Sequence, residues 1–513
     1  MHARTSDKPS KHREIGQSWA LVAIAAAAGL AWVIRYALRY GLDIANPPAW
    51  AQWFDQGWYV TSARALSHAD LSASQHWYPL AYPIVAAPFA RILPNEPFFL
   101  PNLALFIATA LIFVKVMRRL GMNALTATIL LLLGDMAIRK IAGLWTVPWT
   151  TSLSAPLIWG LIEQVLSIVD TPPDRAPPTM RTMLLLGATA AALPIARPTD
   201  GLLAVLAVTF AAIMLLRQHR LRIGGLGWVC AGGLALCIPY GLLYLAIYGP
   251  HLTDYMRDAA QQGFAFSDLP WKTYVIVVSA APWFPDSPSL VEAMPWILPG
   301  CAGLAITLIH GKPQARTALS LIALLAIPYC ATFIAYTDLQ PPGLWSFGNA
   351  HYFKWLFPLF AVGCWLWLRE FRSWRGAGRA IVMFALFLLP TCLRPIPTPV
   401  ADNVPARMLM FRGATNRPWQ SAYFSPATIT DDQGSMANVN RFHQVPDDHG
   451  ERAIAVWRLF AGRAVRNDPN EAAAYRNDEL PYARYATRLS FGVPCWGRFR
   501  PECRLPGPST AAH

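Results

Sequence analysis

Long apolar stretches divide this chain, and the short segments between them carry most of its charges. Several stretches run for about 17–25 residues, the length at which an α-helix crosses the hydrocarbon core of a bilayer. Only 14% of the residues are charged, whereas soluble domains average about 25%. Because backbone polar groups inside a bilayer must pair within their own segment, these stretches are expected to be helical. The sequence therefore predicts an all-α polytopic membrane protein.

Hydropathy predicts about eleven transmembrane helices. They are expected over residues 18–38, 99–117, 124–138, 150–169, 182–196, 202–216, 223–247, 291–308, 319–336, 353–368 and 380–393. The first is too long for the apolar core of a cleavable signal peptide, so it is expected to stay as a span. These helices define a transmembrane module over residues 1–393, followed by a small extramembrane region over residues 394–513.

The distribution of lysine and arginine predicts the orientation. These residues concentrate in alternate loops, such as 115–119, 217–222 and 369–379, which the positive-inside rule assigns to the cytoplasm. The N-terminus is then cytoplasmic, and an odd number of spans puts the C-terminal region on the outer side of the membrane. The net charge of +14 is explained by anionic lipid headgroups, so no nucleic-acid partner is expected.

The C-terminal region is polar and rich in proline and arginine. Apolar residues at helical spacing predict one helix over residues 450–465. Cys495 and Cys503 lie further along, with Pro501 between them. Outside the cytoplasm the two thiols would form a disulfide, and the alternative is two free cysteines.

The first outer loop, residues 40–97, is too long for a turn and too polar to span the membrane. Its partly amphipathic patterns predict two helices in the interface plane, over residues 50–66 and 82–93. A third interfacial helix is expected near residues 251–263.

Asp55 lies near the start of this first outer loop, among Trp53, Phe54, Trp58 and Tyr59. A carboxylate between aromatic rings at a bilayer face is costly, which makes it a candidate functional residue. Burial would raise its pKa towards neutrality, as a general base requires. The alternative is a carboxylate that caps a helix or pairs with a cation.

Four short motifs occur in a defined order along the first three quarters of the chain. They are DQGWY at 55–59, WYPLAYPI at 77–84, ARPTDG at 196–201, and HY at 351–352 followed by Pro358. In this order, over roughly residues 18–368, the chain resembles the GT-C class of integral-membrane glycosyltransferases. It is most similar to the branch of bacterial lipid A sugar transferases and protein O-mannosyltransferases, which use polyprenyl-phosphate sugars.

The resemblance implies a glycosyltransferase in which Asp55 is the catalytic base for inverting transfer to a glycolipid, glycan or protein acceptor. It implies substrate contacts from four tyrosines, namely Tyr59, Tyr78, Tyr82 and Tyr352. Because a polyprenyl phosphate leaves as an anion, the site needs cationic groups at the interface. The candidates are Arg64, Arg197, Lys272, His351 and Lys354.

The chain departs from the family pattern at two positions. Gln56 follows Asp55 where many members have a glutamate, which favours a metal-independent reaction without excluding a divalent metal. His351 stands where many members have an arginine, which leaves open how the donor phosphate is held. His68, Asp70 and His76 lie close in sequence, but this spacing is a weak metal signal.

Two other functions are compatible with a polytopic protein. A lipid-linked oligosaccharide polymerase or ligase usually has its large outer loop late in the chain, whereas the largest loop between spans here is the first. A non-enzymatic flippase or transporter would carry charges within the spans and often an internal repeat. Asp135 and Arg139 are at ion-pair spacing on a helix and are expected to form a structural pair.

Overall fold

In the computed structural model of the chain, helices follow one another from residue 11 to residue 370. They are α1 (Lys11–Tyr40), α2 (Phe54–Ser67), α3 (Ala81–Ala90), α4 (Phe99–Arg119), α5 (Ala124–Met136), α6 (Arg139–Thr146), α7 (Thr150–Val169), α8 (Met180–Ala196), α9 (Gly201–Arg217), α10 (Ile223–Tyr248), α11 (Asp254–Gln262), α12 (Leu269–Thr273), α13 (Leu290–Ala293), α14 (Ile297–His310), α15 (Pro313–Ala335) and α16 (Phe357–Glu370). Short 3-10 segments occur at Ala49–Gln52, Ala73–Gln75, Pro198–Asp200 and Asn349–Phe353, and a π-helical turn at Tyr274–Val278.

The structure describes most of the helical part and only short pieces of the rest. The described residues are 11–43, 46–171, 177–264, 266, 269–279, 288–336, 339, 344–345, 348–370, 378–379, 381–383, 385–387 and seven strands between 406 and 465. Cys495 and Cys503, with their predicted disulfide, lie outside these residues.

Six helical segments in the described part are long and apolar enough to cross a membrane. They are Trp19–Tyr40, Phe99–Arg119, Thr150–Val169, Pro198–Arg217, Ile223–Tyr248 and Pro313–Ala335. The shorter apolar helices α5, α8 and α14 coincide with three further predicted spans. The prediction of an α-helical polytopic membrane protein is therefore confirmed.

The predicted span over residues 291–308 is not continuous. It is divided into the short helix α13 and the longer helix α14, which begins at Ile297. Ser289 caps α13 with a reciprocal capping box, in which its hydroxyl accepts from the Glu292 backbone N–H and the Glu292 carboxylate accepts from the Ser289 N–H. These bonds satisfy the first turn of a separate helix, which hydropathy alone does not reveal. The last predicted span, residues 380–393, is only partly described.

Helices α8 and α10 pack closely at two glycines. A Cβ atom at Gly187 would lie 1.9 Å from the carbonyl oxygen of Val229, and one at Gly232 would lie 2.0 Å from that of Leu184. Any side chain at either position would overlap the facing backbone. Such small residues let helices approach in lipid, where packing replaces the hydrophobic effect as the force that joins them.

Helix α16 makes the same kind of contact with two neighbours. A Cβ atom at Gly303 of α14 would lie 1.9 Å from the Gly363 carbonyl oxygen, and one at Gly134 of α5 would lie 2.6 Å from the Pro358 Cα atom. Glycine thus fixes the position of α16, which directly follows the His351 segment.

Residues 40–97 contain helices α2 and α3, and α11 follows later, close to the bounds predicted for the three interfacial helices. Gln56 of α2 is 2% exposed, and its amide donates to the Pro148 carbonyl at 3.0 Å. Tyr82 of α3 donates to Asn102 Oδ1 of α4 at 2.6 Å. These buried hydrogen bonds attach the loop to the helices that follow it.

The chain forms two compact units. The first comprises residues 1–257, 298–329 and 351–388, and the second comprises residues 258–297, 330–350 and 389–513. Asp55, Arg197, His351 and Lys354 belong to the first unit, and Lys272 belongs to the second.

The described part of the C-terminal region is a seven-stranded sheet in the order β4-β3-β7-β6-β1-β2-β5. Its strands are β1 (Ala406–Phe411), β2 (Trp419–Phe424), β3 (Ile429–Thr430), β4 (Met436–Ala437), β5 (His443–Val445), β6 (Arg458–Phe460) and β7 (Arg463–Val465). All pairs are antiparallel except β3 with β7. All-α therefore describes the helical part of the chain and not this region.

The helix predicted over residues 450–465 is wrong at its C-terminal end. Strands β6 and β7 occupy that stretch and pair with each other, with Leu459 opposite Ala464, while β6 also pairs with β1. A short apolar run is compatible with both helical and strand periodicity. Pairing with β1 is a non-local interaction, so the local spacing of apolar residues does not reveal it.

Candidate active site

Asp55 lies in the first turn of α2, where the helix N-terminus stabilises a negative charge. The Tyr78 hydroxyl donates a hydrogen bond to Asp55 Oδ1. Within the part of the chain that the structure describes, Tyr78 is the one donor to this carboxylate. The side chain is half-buried, so Oδ2 is left to accept from a ligand hydroxyl.

Two opposing effects set the pKa of Asp55. Burial raises the pKa above its ordinary value, and the hydrogen bond from Tyr78 lowers it. Burial is the larger effect. A carboxylate with a raised pKa is a stronger base than a solvated one while it can still ionise near neutral pH, which suits general base catalysis.

Aromatic rings pack around Tyr78, the donor to this carboxylate. The Tyr59 ring lies 4.7 Å from that of Tyr78 and 5.4 Å from that of Tyr82, and the Tyr255 ring lies 4.7 Å from that of Tyr78, centroid to centroid. Trp149 belongs to the same buried cluster. Of the three tyrosines predicted in the first loop, Tyr78 donates to Asp55, Tyr59 packs against Tyr78, and Tyr82 packs against Tyr59 with its hydroxyl bonded to Asn102.

Arg197 follows the C-terminus of α8 and is 7% exposed. Its guanidinium lies 4.5 Å from the centre of the Tyr352 ring, 3.4 Å from the Tyr329 hydroxyl and 3.9 Å from Asp200 Oδ1. The guanidinium is thus held between two tyrosines and the Asp200 carboxylate.

His351 joins Arg197 to the aromatic cluster. Its ring stacks on Trp149 with centroids 4.0 Å apart, and its Nδ1 atom lies 3.1 Å from Thr151 Oγ1. Burial lowers the pKa of His351 well below its ordinary value, and the charges of Arg197 and Lys354 lower it further. A lowered pKa favours the neutral imidazole, which can donate a hydrogen bond but carries no positive charge.

The Asp55 and Arg197 groups belong to one continuous wall of the first unit. Tyr255 contacts Tyr78 on one side and lies within electrostatic range of Arg197 on the other. Trp149 packs with the tyrosines around Asp55 and stacks on His351. The arrangement places the Asp55 carboxylate and the Arg197 guanidinium along the same aromatic surface.

Two other predicted cations, Arg64 and Lys272, donate to backbone carbonyls. Arg64 is exposed and donates twice to the Pro94 carbonyl, at 3.1 and 2.7 Å. Lys272 is 1% exposed and donates to the Tyr336 carbonyl within the second unit.

Lys354 is fully buried among polar atoms of the first unit. Its ammonium donates to Ser152 Oγ at 2.7 Å and to the Leu144 carbonyl at 3.1 Å, and lies 4.5 Å from the centre of the Trp145 ring. It also lies within electrostatic range of the buried Asp135 carboxylate. These contacts are typical of a buried lysine with a structural role.

The predicted Asp135–Arg139 ion pair is wrong. Helix α5 ends at Met136 and α6 begins at Arg139, so the two residues are not on one helix and the i, i+4 geometry does not apply. Asp135 is 0% exposed, and among the described residues its oxygens have no hydrogen-bond partner. Lys354, which is distant in sequence, lies within electrostatic range of this carboxylate.

The candidate metal-binding residues of the first loop are engaged with the protein. His76 uses both ring nitrogens, with Ser62 Oγ at 2.7 Å and the Asp70 carbonyl at 2.9 Å. Within the described residues, no group of three or more His, Cys, Asp or Glu side chains could hold a metal ion.

The site also contains three residues that the sequence motifs did not indicate, namely Tyr255, Trp149 and Tyr329. Tyr255 lies in the predicted interfacial helix α11, and an aromatic residue in a polar helix was the available signal. Trp149 directly precedes a span and reads as an interfacial anchor. Tyr329 lies within α15, where nothing in the local sequence distinguishes it from a packing residue.

No protein-family model matches the sequence, and no curated protein matches it either. Among solved structures, the chain is similar to the crystal structure of ArnT from Cupriavidus metallidurans bound to undecaprenyl phosphate, with 14% identity and a TM-score of 0.45. The match covers 72% of this chain and 63% of that one. At this distance the similarity assigns neither a fold nor an activity, and the likeness to GT-C enzymes stays a resemblance of sequence motifs.

Proposed function

We propose that this membrane protein is a glycosyltransferase that moves a sugar from a polyprenyl-phosphate donor to an acceptor hydroxyl. One observation carries the proposal. A half-buried carboxylate with a single described protein donor shares an aromatic wall with a buried arginine. That combination suits a reaction that removes a proton at one point and releases an anionic phosphate at another.

Asp55 acts as the general base. Its Oδ2 atom accepts the proton of the acceptor hydroxyl while the acceptor oxygen attacks the anomeric carbon of the donor sugar. The bond from that carbon to the phosphate oxygen breaks, and the polyprenyl phosphate leaves with the electron pair. This single displacement inverts the anomeric centre, and the proton on Asp55 is later lost to water.

Tyr78 orients the base. Its hydroxyl occupies Oδ1, so the other oxygen faces the acceptor. Holding a catalytic group in one rotamer lowers the entropy cost of reaching the reactive geometry.

Arg197 stabilises the departing phosphate. Arginine suits this role because its planar fork matches phosphate oxygens and its charge persists at any physiological pH. Tyr352 fixes the guanidinium through a cation–π contact at 4.5 Å. His351, neutral and stacked on Trp149, adds a hydrogen-bond donor at the point where many GT-C members have an arginine.

The proposed location is the bacterial inner membrane, with the N-terminus in the cytoplasm and the C-terminal region in the periplasm. In that orientation the Asp55 end of the bundle faces the periplasm, where lipid-linked sugars are the available donors. The acceptor is a glycolipid, glycan or protein. The proposed displacement needs no metal, so chelation of divalent cations is expected to leave the rate unchanged.

Acceptor-dependent release of polyprenyl phosphate tests this proposal. Purified protein in vesicles is supplied with polyprenyl-phosphate-linked hexoses and pentoses, with and without envelope glycolipid as acceptor. A transferase releases polyprenyl phosphate in proportion to the sugar transferred. A flippase moves the donor across the bilayer and releases none, and that result would remove the enzymatic assignment.

A further inference from the structure

A basic cleft lies at the opposite end of the first unit from Asp55. It has a volume of about 320 Å³ and is lined by Lys115, Arg118, Arg119 and Gln314. The three cations lie in the last two turns of α4, where residues three and four apart share a helix face. The cleft therefore concentrates positive charge in a concave surface.

Two acidic side chains next to the cleft, Glu163 and Asp170, are engaged by one of the three cations. Arg119 pairs with Asp170 and lies 3.8 Å from Glu163, and it also donates to Ser167 Oγ at 3.0 Å. The Gln314 amide lies 3.4 Å from Asp170 Oδ2. The Arg119 side chain is thus held in a fixed position at the edge of the cleft.

Lys115 and Arg118 keep their charges uncompensated. Both side chains are exposed, and among the described residues neither forms an ion pair or hydrogen bond. The carbonyls at the end of α4 are capped, since the N–H groups of Leu120 and Gly121 bond to Met117 and Arg118. The cleft therefore presents donors and few competing acceptors, which is the chemistry of a phosphate site.

The position of the cleft indicates the source of the phosphate. Helix α4 is one of the helices long and apolar enough to span the membrane, and the cleft lies at its end. That end lies at headgroup depth, where basic clusters next to a span bind anionic lipids. A lipid phosphate reaches this depth tethered by its acyl chains, whereas a soluble phosphate has to be concentrated from solution.

We infer that the cleft of Lys115, Arg118 and Arg119 binds the phosphate of an anionic lipid headgroup. In the proposed orientation this lipid belongs to the cytoplasmic leaflet, across the membrane from the transfer site. The site is independent of Asp55, so loss of the lipid leaves the chemistry of the Asp55 site in place.

Native mass spectrometry of the purified full chain tests the inference. The protein is exchanged into nanodiscs of phosphatidylcholine with a minor share of phosphatidylglycerol, extracted, and scored for retained lipids. The wild-type protein is expected to retain phosphatidylglycerol preferentially. The double variant Lys115→Gln with Arg118→Gln should weaken that retention by roughly 30-fold, since each of the two basic residues contributes on the order of 1 kcal/mol at a membrane surface.

A matched control variant distinguishes lipid binding in the cleft from a general effect of positive surface charge. Arg181 and Arg217 are exposed cations at the same end of the bundle, so Arg181→Gln with Arg217→Gln removes the same net charge outside the cleft. This control should retain phosphatidylglycerol like the wild type. Equal loss in both double variants, or no loss in the cleft variant, would overturn the inference. Binding of inorganic pyrophosphate without retention of phosphatidylglycerol would overturn the lipid assignment.

Discussion

The Tyr78 hydroxyl donates to the Asp55 carboxylate, joining the turn before α3 to the first turn of α2. The hydrogen bond stabilises the ionised form of the base, while burial opposes ionisation. The residue that orients Asp55 therefore also sets the pH range in which it can accept a proton.

Substitution of Tyr78→Phe should move the acidic limb of the pH–rate profile to higher pH. Removing the donor leaves burial unopposed, which raises the pKa of Asp55, and the base must be ionised to act. We expect roughly tenfold or less loss at the plateau, because the base itself is intact. The profile of kcat/KM against pH measures the shift.

Tyr82→Phe is the control for this prediction. Its hydroxyl bonds to Asn102, so its loss costs about 1 kcal/mol of stability and should leave the acidic limb in place. A profile for Tyr78→Phe identical to that of the wild type would show that Tyr78 does not tune the base.

Arg197→Gln should raise the KM for the polyprenyl-phosphate donor by about 10- to 100-fold, because a charge-assisted hydrogen bond to phosphate contributes about 1.5–3 kcal/mol. The contrasting variant is Arg64→Gln, since Arg64 is exposed and bonded to the Pro94 carbonyl. Steady-state kinetics at varied donor concentration gives the KM of each variant and distinguishes Arg197→Gln from Arg64→Gln. An equal change in both variants would contradict a specific role for Arg197.

Lys354 and Asp135 should make coupled contributions to the free energy of unfolding. Lys354→Met leaves the buried Asp135 uncompensated and is expected to cost about 3–5 kcal/mol. The double variant Lys354→Met with Asp135→Leu should recover much of that loss, because it removes both buried charges. Unfolding of the four proteins in detergent gives the coupling energy, and additive losses would show that the two residues do not interact.

Gly232 and Gly241 lie on the same helix, α10, in different surroundings. A Cβ atom at Gly232 would lie 2.0 Å from the Leu184 carbonyl oxygen, while one at Gly241 meets nothing within 4 Å. Gly232→Ala should separate α8 from α10 and lower the unfolding temperature. Gly241→Ala should be neutral or stabilising by up to about 1 kcal/mol, because alanine favours the helix. Similar unfolding temperatures for both variants would contradict the close approach.

Much of the helical part could be predicted because each span carries its own signal. A run of apolar residues reports burial in lipid regardless of the neighbouring helices. The division of α13 from α14 depends instead on the Ser289 capping box, and the sheet of the C-terminal region depends on pairing between distant strands. These are interactions between residues and not properties of a local window.

The site could be predicted in part for the same reason. Asp55, Tyr59 and Tyr78 lie close in sequence, so one loop revealed them together. Arg197 and His351 were found through motifs, while Tyr255 was missed because its role comes only from packing against Tyr78. Lys354 was expected to bind phosphate, but the structure surrounds it with Ser152, Leu144 and Trp145.

Asp55→Asn tests the central claim most directly. The amide oxygen can still accept from Tyr78, so the fold is preserved while the base is lost. Sugar transfer and polyprenyl phosphate release should fall by about 10²- to 10⁴-fold at unchanged expression and unfolding temperature. Asp70→Asn, an exposed carboxylate of the same loop, should keep full activity. Undiminished transfer by Asp55→Asn would contradict the assignment of Asp55 as the base.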